Sequence, residues 1–210
     1  MPAPDIGLVI ERLRQQHPDA KYELNWTTPL ELLVATTLAA QCTDERVNRI
    51  TESLFKKYTS ARAYLDVPVE VLENDIKASG TFRQKAKSIR GACQAIVDRF
   101  GGEVPRTMEE LTTLPGIARK SANVVLNTAF DLASGIIVDT HVARVSPRLG
   151  LTKQSKPEDI ERDLMRQVPQ NEWTFFGPAM VLHGRYTCVA RAPKCPECVF
   201  QDVCPKVGVV

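Results

Sequence analysis

Four cysteines near the end of the chain have the spacing of a metal-ligand set. Cys188, Cys195, Cys198 and Cys204 follow the pattern C-x6-C-x2-C-x5-C within 17 residues. Pro193 and Pro196 interrupt this segment, and Pro205 follows it directly. Four convergent thiolates on an irregular loop suit either a tetrahedral zinc ion or a four-iron, four-sulfur cluster. The spacing leaves both open and slightly favours iron–sulfur, because zinc sites more often contain two C-x2-C pairs. By default such a centre folds the tail of the chain.

The segment between the first two of these cysteines is basic. Arg191 and Lys194 lie in this short loop, and Arg185 comes just before it. A loop held at both ends by metal ligands can present its cations to a nucleic-acid phosphate. A solvated surface loop explains the same charges equally well.

Residues 111–125 have the pattern of two helices joined by a Pro-Gly turn, a helix-hairpin-helix. Pro115 presets the turn, and Gly116 tolerates a positive φ. The backbone N–H groups at the start of the second helix are then available to an anion, for which a DNA phosphate is the natural candidate. A plain corner between two helices is the alternative interpretation.

Lys120 falls in the first turn of that second helix, where the positive end of the helix dipole disfavours an ammonium group. A lysine that acts as a nucleophile needs a fraction of neutral amine, so this position suits Schiff-base chemistry at a sugar C1′. The alternative is a phosphate contact, the role expected of neighbouring Arg119.

Asp139 stands between an apolar run at 135–138 and a predicted helix that begins at Thr140. It is expected to be the N-cap of that helix. An aspartate that faces a cleft from this position can also stabilise a developing oxocarbenium ion or act as a base. The capping and catalytic roles are compatible.

The elements that must position these groups are predicted to be helical. Apolar residues recur at helical spacing in three stretches, at 6–13, 47–54 and 89–100. The strand-like runs 135–138 and 207–210 are too short to build a sheet. The predicted fold class is therefore all-α.

Helix starts can be placed from capping patterns. Thr28 and Thr107 are each followed three residues later by Glu, as in a capping box. Pro68 and Pro157 are expected to open two further helices, because proline is favoured at the first turn.

The composition is that of an ordinary globular protein. The 210 residues are 43% hydrophobic and 25% charged, which excludes disorder. Because 27 Lys and Arg face 25 Asp and Glu, the net charge is only +2 and nucleic-acid contacts must come from local clustering. No stretch approaches the roughly 20 apolar residues of a membrane span, and no signal peptide is evident, so an unexported, cytoplasmic protein is expected. The composition shift at residues 131–135 is the best candidate for a domain boundary.

Taken together, the hairpin ending in Lys120, the segment 138–141 and the cysteine pattern resemble the endonuclease III family of helix-hairpin-helix, Gly/Pro-Asp DNA glycosylases. The resemblance extends over nearly the whole chain. It implies Lys120 as the Schiff-base nucleophile, Asp139 as the carboxylate that assists base loss, and the four cysteines as ligands of a 4Fe-4S cluster. Since family relatives that remove adenine lack the lysine, it also implies a glycosylase with lyase activity on oxidised pyrimidines.

The fold implied by this resemblance has two helical domains. Residues 22–132 would form a six-helix barrel that contains the helix-hairpin-helix, and residues 1–21 with 133–210 would form the iron–sulfur cluster domain. Double-stranded DNA with damaged bases or abasic sites would bind in a cleft between the domains. The expected protein is a monomer that associates with a prokaryotic nucleoid.

Residues that contact DNA are also implied by the resemblance. Gln41 would fill the gap left by a flipped base, and the loop at Thr81 and Phe82 would wedge the opposite strand. The other expected contacts are Gly116, Ala118, Arg119, His141, Arg144, Arg185, Arg191 and Lys194.

Three residues depart from the family pattern. Ala118 replaces the second glycine of the hairpin, which bears on DNA affinity. Thr81 stands where a large apolar wedge is expected, and this bears on the preference for the opposite base. Ala39 stands where a small polar residue is expected near the base pocket, so the range of lesions is affected.

Two other functions fit the same residues. A glycosylase for another lesion, such as a pyrimidine dimer or a mispaired base, could use the same scaffold. A nonenzymatic DNA-binding metal protein would grip phosphates with the hairpin and the metal loop, and Lys120 would be one more cation. The Lys120→Ala variant separates this last function from the enzymes, because only the enzymes would lose strand cleavage.

Overall fold

A computed structural model describes residues 2–209 of the chain. Ten α-helices are present in this range: α1 (Ile6–Gln16), α2 (Pro29–Leu38), α3 (Asp44–Lys57), α4 (Val69–Asp75), α5 (Phe82–Phe100), α6 (Met108–Thr112), α7 (Arg119–Ala129), α8 (Thr140–Arg148), α9 (Pro157–Gln167) and α10 (Trp173–Tyr186). Three short 3-10 helices accompany them: Lys77–Ser79, Gln170–Glu172 and Cys195–Glu197. Because the described residues contain no strand, the predicted all-α class is confirmed.

The capping predictions for α2 and α6 differ in outcome. The Thr28 hydroxyl accepts from the N–H of Glu31, and the Glu31 carboxylate accepts from the N–H of Thr28, each at 3.2 Å, so this capping box is complete. Thr107 caps α6 in the same way, at 3.2 Å from the N–H of Glu110. The Glu110 carboxylate, however, accepts from the Thr107 hydroxyl at 2.9 Å, so only half of the second box forms.

The two proline predictions are confirmed with a difference in position. Pro157 is the first residue of α9, where its missing N–H costs no helical hydrogen bond. Pro68 is instead the N-cap of α4 and precedes the first helical residue.

Contacts divide the chain into two compact units. The hairpin unit comprises residues 23–132 and holds α2 to α7. The cysteine unit combines the chain up to Tyr22 with the chain from Ala133 onward, and it holds α1, α8 to α10 and the four cysteines of the tail.

The core of the hairpin unit is built on α2 and α5. Most of α2 is buried, including Leu32 and Leu38, and α5 contributes Ile89, Cys93 and Ile96 at the predicted helical spacing. Burial raises the pKa of Cys93 to about 12, which fits a cysteine that packs as an apolar residue.

The core of the cysteine unit joins its N-terminal helix to the tail. Its buried side chains come from every helix of the unit and from the cysteine loop: Val9, Leu13, Val142, Val145, Ile160, Leu164, Phe176, Met180 and Phe200. Arg12 of α1 donates to the carbonyl of Val199 at 2.6 Å, which ties the first helix to the tail.

Neither strand-like run forms a strand within the described residues. Ile136, Ile137 and Val138 are buried in a segment without regular secondary structure. Val207 is 54% exposed in a turn, and Val210 lies outside the described residues. None of the helices in residues 2–209 combines the length and apolar character needed to cross a membrane.

Candidate functional site

The hairpin runs from α6 to α7 through the Pro115-Gly116 turn. Gly116 has a φ of +79°, the conformation for which the sequence required glycine. The N–H of Ile117 donates to the carbonyl of Leu114 at 3.1 Å, and both side chains are buried, so the turn is anchored to the core on each side. Ala118 is the N-cap of α7 and has no side chain that can cap it. The first turn of α7 therefore receives no side-chain cap from Ala118, and anion binding there stays a prediction.

Helix α5 supports this turn through two close contacts. A β-carbon added to Gly91 would lie 2.9 Å from the β-carbon of Pro115. A β-carbon added to Gly116 would lie 2.5 Å from the β-carbon of Ser88. Sequence reasoning did not single out Gly91 or Ser88. A glycine inside the apolar stripe of a long helix was the available signal, because it costs helical stability unless another backbone approaches closely.

Lys120 is exposed in the first turn of α7, as predicted. On the same helix Ala122 and Val125 are fully buried and fix its orientation against the core of the hairpin unit. A primary amine at an exposed helix start can act as a nucleophile or bind a phosphate.

Asp139 is the N-cap of α8, which confirms the capping prediction. Its Oδ1 atom accepts from the N–H of His141 at 2.8 Å and from the N–H of Val142 at 2.9 Å. Both bonds use the same oxygen, so Oδ2 takes no part in the cap. The Asp139 carboxylate also affects Tyr22. Burial raises the pKa of the Tyr22 hydroxyl well above the usual value, and the negative charge of Asp139 raises it further.

His141 and Arg144 follow Asp139 on α8 and have partners within the cysteine unit. Arg144 Nη2 donates to the carbonyl of Gly184 at 2.7 Å and lies 3.2 Å from His141 Nδ1. Arg144 Nε donates to the carbonyl of Cys188 at 3.1 Å. Arg144 therefore joins α8 to α10 and to the first cysteine, a structural role beside the DNA contact predicted for it.

The four tail cysteines line one pocket, whose volume is about 380 Å³ with its open mouth included. Burial raises the pKa of the Cys198 and Cys204 thiols, the N–H groups of Phe200 and Lys206 lower it, and the charges of the neighbouring cysteines raise it. The cysteines are thus close enough for the charge of one to change the pKa of another. No group of three or more His, Cys, Asp or Glu side chains in residues 2–209 is arranged to hold a single metal ion.

Donors surround the sulfur atoms of this pocket. The N–H of Phe200 lies 3.4 Å from Cys198 Sγ, the N–H of Lys206 lies 3.4 Å from Cys204 Sγ, and Arg148 Nη1 lies 3.5 Å from Cys188 Sγ. Each donor favours a thiolate over a thiol. These donors offset part of the effect of burial, which on balance raises the pKa of Cys198 and Cys204. The Cys204 thiol itself donates to the carbonyl of Arg148 at 3.4 Å.

Two buried histidine contacts adjoin the pocket. His183 Nδ1 lies 2.8 Å from Gln16 Oε1, and His183 Nε2 lies 3.8 Å from Cys198 Sγ. Burial, with a smaller contribution from His17, lowers the pKa of His183 to about 4, so the ring is neutral at pH 7. His183 therefore joins α10 to Gln16 of α1.

Arg148 of α8 binds the backbone of the basic loop between Cys188 and Cys195. Its guanidinium donates to the carbonyls of Val189 at 2.8 Å and Ala190 at 3.0 Å. Arg191 and Lys194 of the same loop are exposed. Arg148 was not among the predicted residues, because nothing near it in the sequence marks a partner more than 40 residues away.

Gln41 and Thr81 lie in exposed turns of the hairpin unit, and both have left-handed backbone conformations, with φ of +55° and +36°. Phe82 is half-buried as the first residue of α5, and the Arg83 guanidinium lies 5.0 Å from its ring centroid. Thr81 is therefore the more accessible of the two predicted wedge residues.

Residues 34–170 match the family described as HhH-GPD superfamily base excision DNA repair protein. The chain is also 51% identical over 203 residues to endonuclease III of Synechocystis sp., a match that covers 97% of this chain and 91% of that relative. The chain belongs to the endonuclease III family.

Solved structures of endonuclease III have the same fold. A non-covalent endonuclease III–DNA complex matches with a TM-score of 0.91 and 43% identity, and covers 96% of this chain and 94% of that chain. A trapped endonuclease III–DNA covalent intermediate matches with a TM-score of 0.91, 42% identity and the same coverage. The expected family resemblance is thus confirmed both in sequence and in three dimensions.

For a member of the endonuclease III family, the predicted site residues are distributed over both units. The hairpin unit holds Lys120 with the hairpin amides, Gln41, Thr81 and Phe82. The cysteine unit holds Asp139 and brings the four cysteines together with the basic loop.

Proposed function

We propose that the chain is a bifunctional DNA glycosylase and AP lyase of base excision repair that removes oxidised pyrimidines from double-stranded DNA. The observation that carries the proposal is Lys120, an exposed amine in the first turn of α7 directly after the Pro115-Gly116 turn. It stands in a chain that is 42% identical to an endonuclease III trapped in a covalent complex with DNA. An exposed amine at this place suits attack on a sugar carbon better than a core role.

Lys120 supplies the nucleophile. The damaged nucleotide is flipped out of the duplex, and the amine attacks C1′ while the bond from C1′ to the base breaks and the base leaves with a proton. Opening of the sugar ring at O4′ and loss of the remaining amine proton produce an imine. Removal of a C2′ proton then expels the 3′ phosphate, which nicks the strand.

Asp139 assists base loss with its carboxylate. Two backbone N–H groups donate to Oδ1 and hold the side chain in one orientation. The helix N-terminus favours the negative charge of the carboxylate. Oδ2 is left to stabilise positive charge that develops on the sugar as the base departs.

The donor set of the tail fits a 4Fe-4S cluster held by Cys188, Cys195, Cys198 and Cys204. Four thiols line one pocket, and backbone N–H donors lie near two of the sulfurs. The cysteine spacing, with a single C-x2-C pair, favours the polynuclear cluster over a single zinc ion. When bound, the cluster cross-links the tail. Arg148 then holds Val189 and Ala190, so that Arg191 and Lys194 meet phosphates from a fixed loop.

We assign the two units to the domains of the family. The hairpin unit corresponds to the six-helix barrel at 22–132, with α2 to α7 as its six helices, and the cysteine unit corresponds to the cluster domain at 1–21 and 133–210. The proposed DNA contacts are Gln41, Thr81, Phe82, Gly116, Ala118, Arg119, His141, Arg144, Arg185, Arg191 and Lys194. One chain carries both the proposed nucleophile and the cluster ligands, so the proposed activity requires no second copy, and we propose a monomer.

The experiment is borohydride trapping on a duplex that contains thymine glycol, with Lys120→Ala beside the parent protein. Lys87→Ala serves as the control, because Lys87 is another exposed lysine of the same unit. A covalent adduct with the parent and the control, but not with Lys120→Ala, supports the nucleophile and the substrate together.

Other results would redirect the proposal. An adduct on a bare abasic site alone would keep the lyase and discard the oxidised-pyrimidine substrate. No adduct on either DNA, with DNA binding retained, would favour a nonenzymatic binding protein.

A further inference from the structure

Lys85 is a lysine buried inside the hairpin unit. It lies in the first turn of α5, and only 4% of its surface is exposed. Its Nζ atom donates to the carbonyl of Leu38 at 2.8 Å and to the carbonyl of Ser79 at 2.7 Å. Burial lowers the pKa of Lys85, and the nearby Cys42 opposes this shift. Burial of an ammonium group costs free energy unless the group is hydrogen-bonded. A lysine at this buried position is therefore not explained by packing alone.

Each carbonyl ends a helix just before an exposed turn. Leu38 is the last residue of α2, and Gln41 follows three residues later with a φ of +55°. Ser79 is the last residue of the 3-10 helix, and Thr81 follows two residues later with a φ of +36°. Non-glycine residues persist in this backbone region only when their surroundings impose it.

The ammonium of Lys85 is the link between these two turns. The Gln41 turn has a hydrogen bond of its own, from the N–H of Cys42 to the carbonyl of Ala39 at 3.1 Å. The Thr81 turn is bonded to Lys85 twice, because the N–H of Lys85 also donates to the carbonyl of Thr81 at 3.1 Å. One side chain therefore bonds to two segments that are about 40 residues apart in sequence.

We propose that Lys85 is a positioning residue that holds the Gln41 and Thr81 turns at a fixed separation, so that both enter the duplex at a lesion as one two-pronged probe. This inference rests on the proposed function, since it assumes that the two turns contact DNA. A long cation suits the task, because its two hydrogen bonds reach carbonyls that point from two different elements toward one place.

The test is Lys85→Met, which keeps the length and burial of the side chain and removes its donors. Lys87→Met is the matched control, since Lys87 is two residues further along α5 and exposed. Hydrogen exchange without DNA should rise at the amides of both turns, 39–42 and 79–82, in Lys85→Met only. This arm requires no DNA and no activity.

Binding to a duplex with a tetrahydrofuran abasic analogue is the second measurement. The Kd of Lys85→Met for this duplex should be about tenfold higher than that of the parent. Binding to undamaged duplex should not change, because phosphate contacts dominate there. In a Gln41→Ala background the further loss from Lys85→Met should be much smaller, and Lys85→Arg should restore part of the affinity.

The inference is wrong if Lys85→Met binds both duplexes as Lys87→Met does. It is also wrong if hydrogen exchange becomes faster at only one turn or at neither. The same holds if the losses of affinity from Gln41→Ala and Lys85→Met are additive. If Lys85→Met does not fold, Lys85→Gln is used, which loses the charge and is too short to reach both carbonyls. It should change exchange and binding in the same direction but by less. A parent protein without preference for the abasic duplex would contradict the proposed function, and the exchange arm would still decide whether Lys85 joins the turns.

Discussion

Ser88 of α5 occupies the space that a side chain on Gly116 would need. An added β-carbon at Gly116 would come within 2.5 Å of both the β-carbon and the hydroxyl oxygen of Ser88. The hairpin turn therefore requires glycine for two separate reasons, its φ of +79° and this contact. The shape of the DNA-binding turn depends on a helix that precedes it in the chain.

Gly116→Ala should lower the free energy of unfolding more than a glycine substitution elsewhere at positive φ. Gly101→Ala is the control, because Gly101 has a φ of +62° and open space around its α-carbon. We expect about 1–2 kcal/mol from backbone strain at Gly101, and about 1–3 kcal/mol more at Gly116 from overpacking. Urea unfolding measures both, and Ser88→Gly should recover part of the loss in Gly116→Ala. Equal losses at the two glycines would contradict the Ser88 contact.

Substitutions of Asp139 should separate capping from catalysis. Asparagine caps a helix about as well as aspartate, so Asp139→Asn should keep the stability of the parent, whereas Asp139→Ala should lose about 1 kcal/mol. Both should slow base release in single turnovers by about a hundredfold or more, because neither has a carboxylate. Full glycosylase activity in Asp139→Asn would assign the residue to capping alone.

Arg191→Ala should weaken binding to any DNA sequence. Removal of one phosphate contact is expected to reduce the slope of log K against log salt by about 1. Arg162→Ala is the control, because Arg162 is an exposed arginine of α9 that pairs with Asp159 at 3.0 Å. Fluorescence anisotropy over a salt series measures the slopes. An unchanged slope in Arg191→Ala would remove this residue from the DNA interface.

Cys93 should resist alkylation in the folded protein. With its pKa raised to about 12 by burial, only about one thiol in ten thousand is ionised at pH 8. Iodoacetamide at pH 8 should therefore modify the half-exposed Cys42 first and reach Cys93 only after unfolding. Peptide mass spectrometry in both states checks this order. Raising the pH should increase the Cys93 thiolate fraction, so early labelling at pH 8 would contradict its burial.

Iron removal, or the Cys198→Ser variant, should loosen the tail without unfolding the hairpin unit. Phe200 is the one fully buried large apolar side chain of residues 188–204, so the proposed metal would supply much of the stability of this loop. Limited proteolysis should then cut within 188–204 before it cuts within 23–132. Iron and sulfide analysis and absorbance near 400 nm establish the loaded state. A colourless parent that contains zinc would contradict the iron–sulfur assignment.

Features that depend on neighbours in the chain were predictable from the sequence. The N-cap at Asp139, the capping box at Thr28 and the positive φ of Gly116 each follow from partners or turns within a few residues. Helical apolar spacing placed Ile89, Cys93 and Ile96 in a core. The cysteine spacing indicated a metal-ligand set for the same reason, since all four thiols belong to one short loop.

Local sequence patterns predicted the structure only in part where a side chain could make more than one hydrogen bond or pack in more than one way. Glu110 satisfies the hydroxyl of Thr107 in place of its N–H, so the second capping box is incomplete. The apolar run 136–138 is buried but forms no strand, and Ile136 and Val138 pack into the core that the helices of their own unit build.

The sequence by itself determined the helical class, the chemistry available in the hairpin and in the cysteine loop, and the family. Tertiary structure alone decided that Ser88 faces Gly116, that Arg148 holds Val189 and that Lys85 reaches Leu38. In these pairs the partners are 28 to 47 residues apart, and no periodicity or cap records such a pairing. They meet only because packing of separate helices brings a donor, or a gap of the right size, opposite a distant backbone.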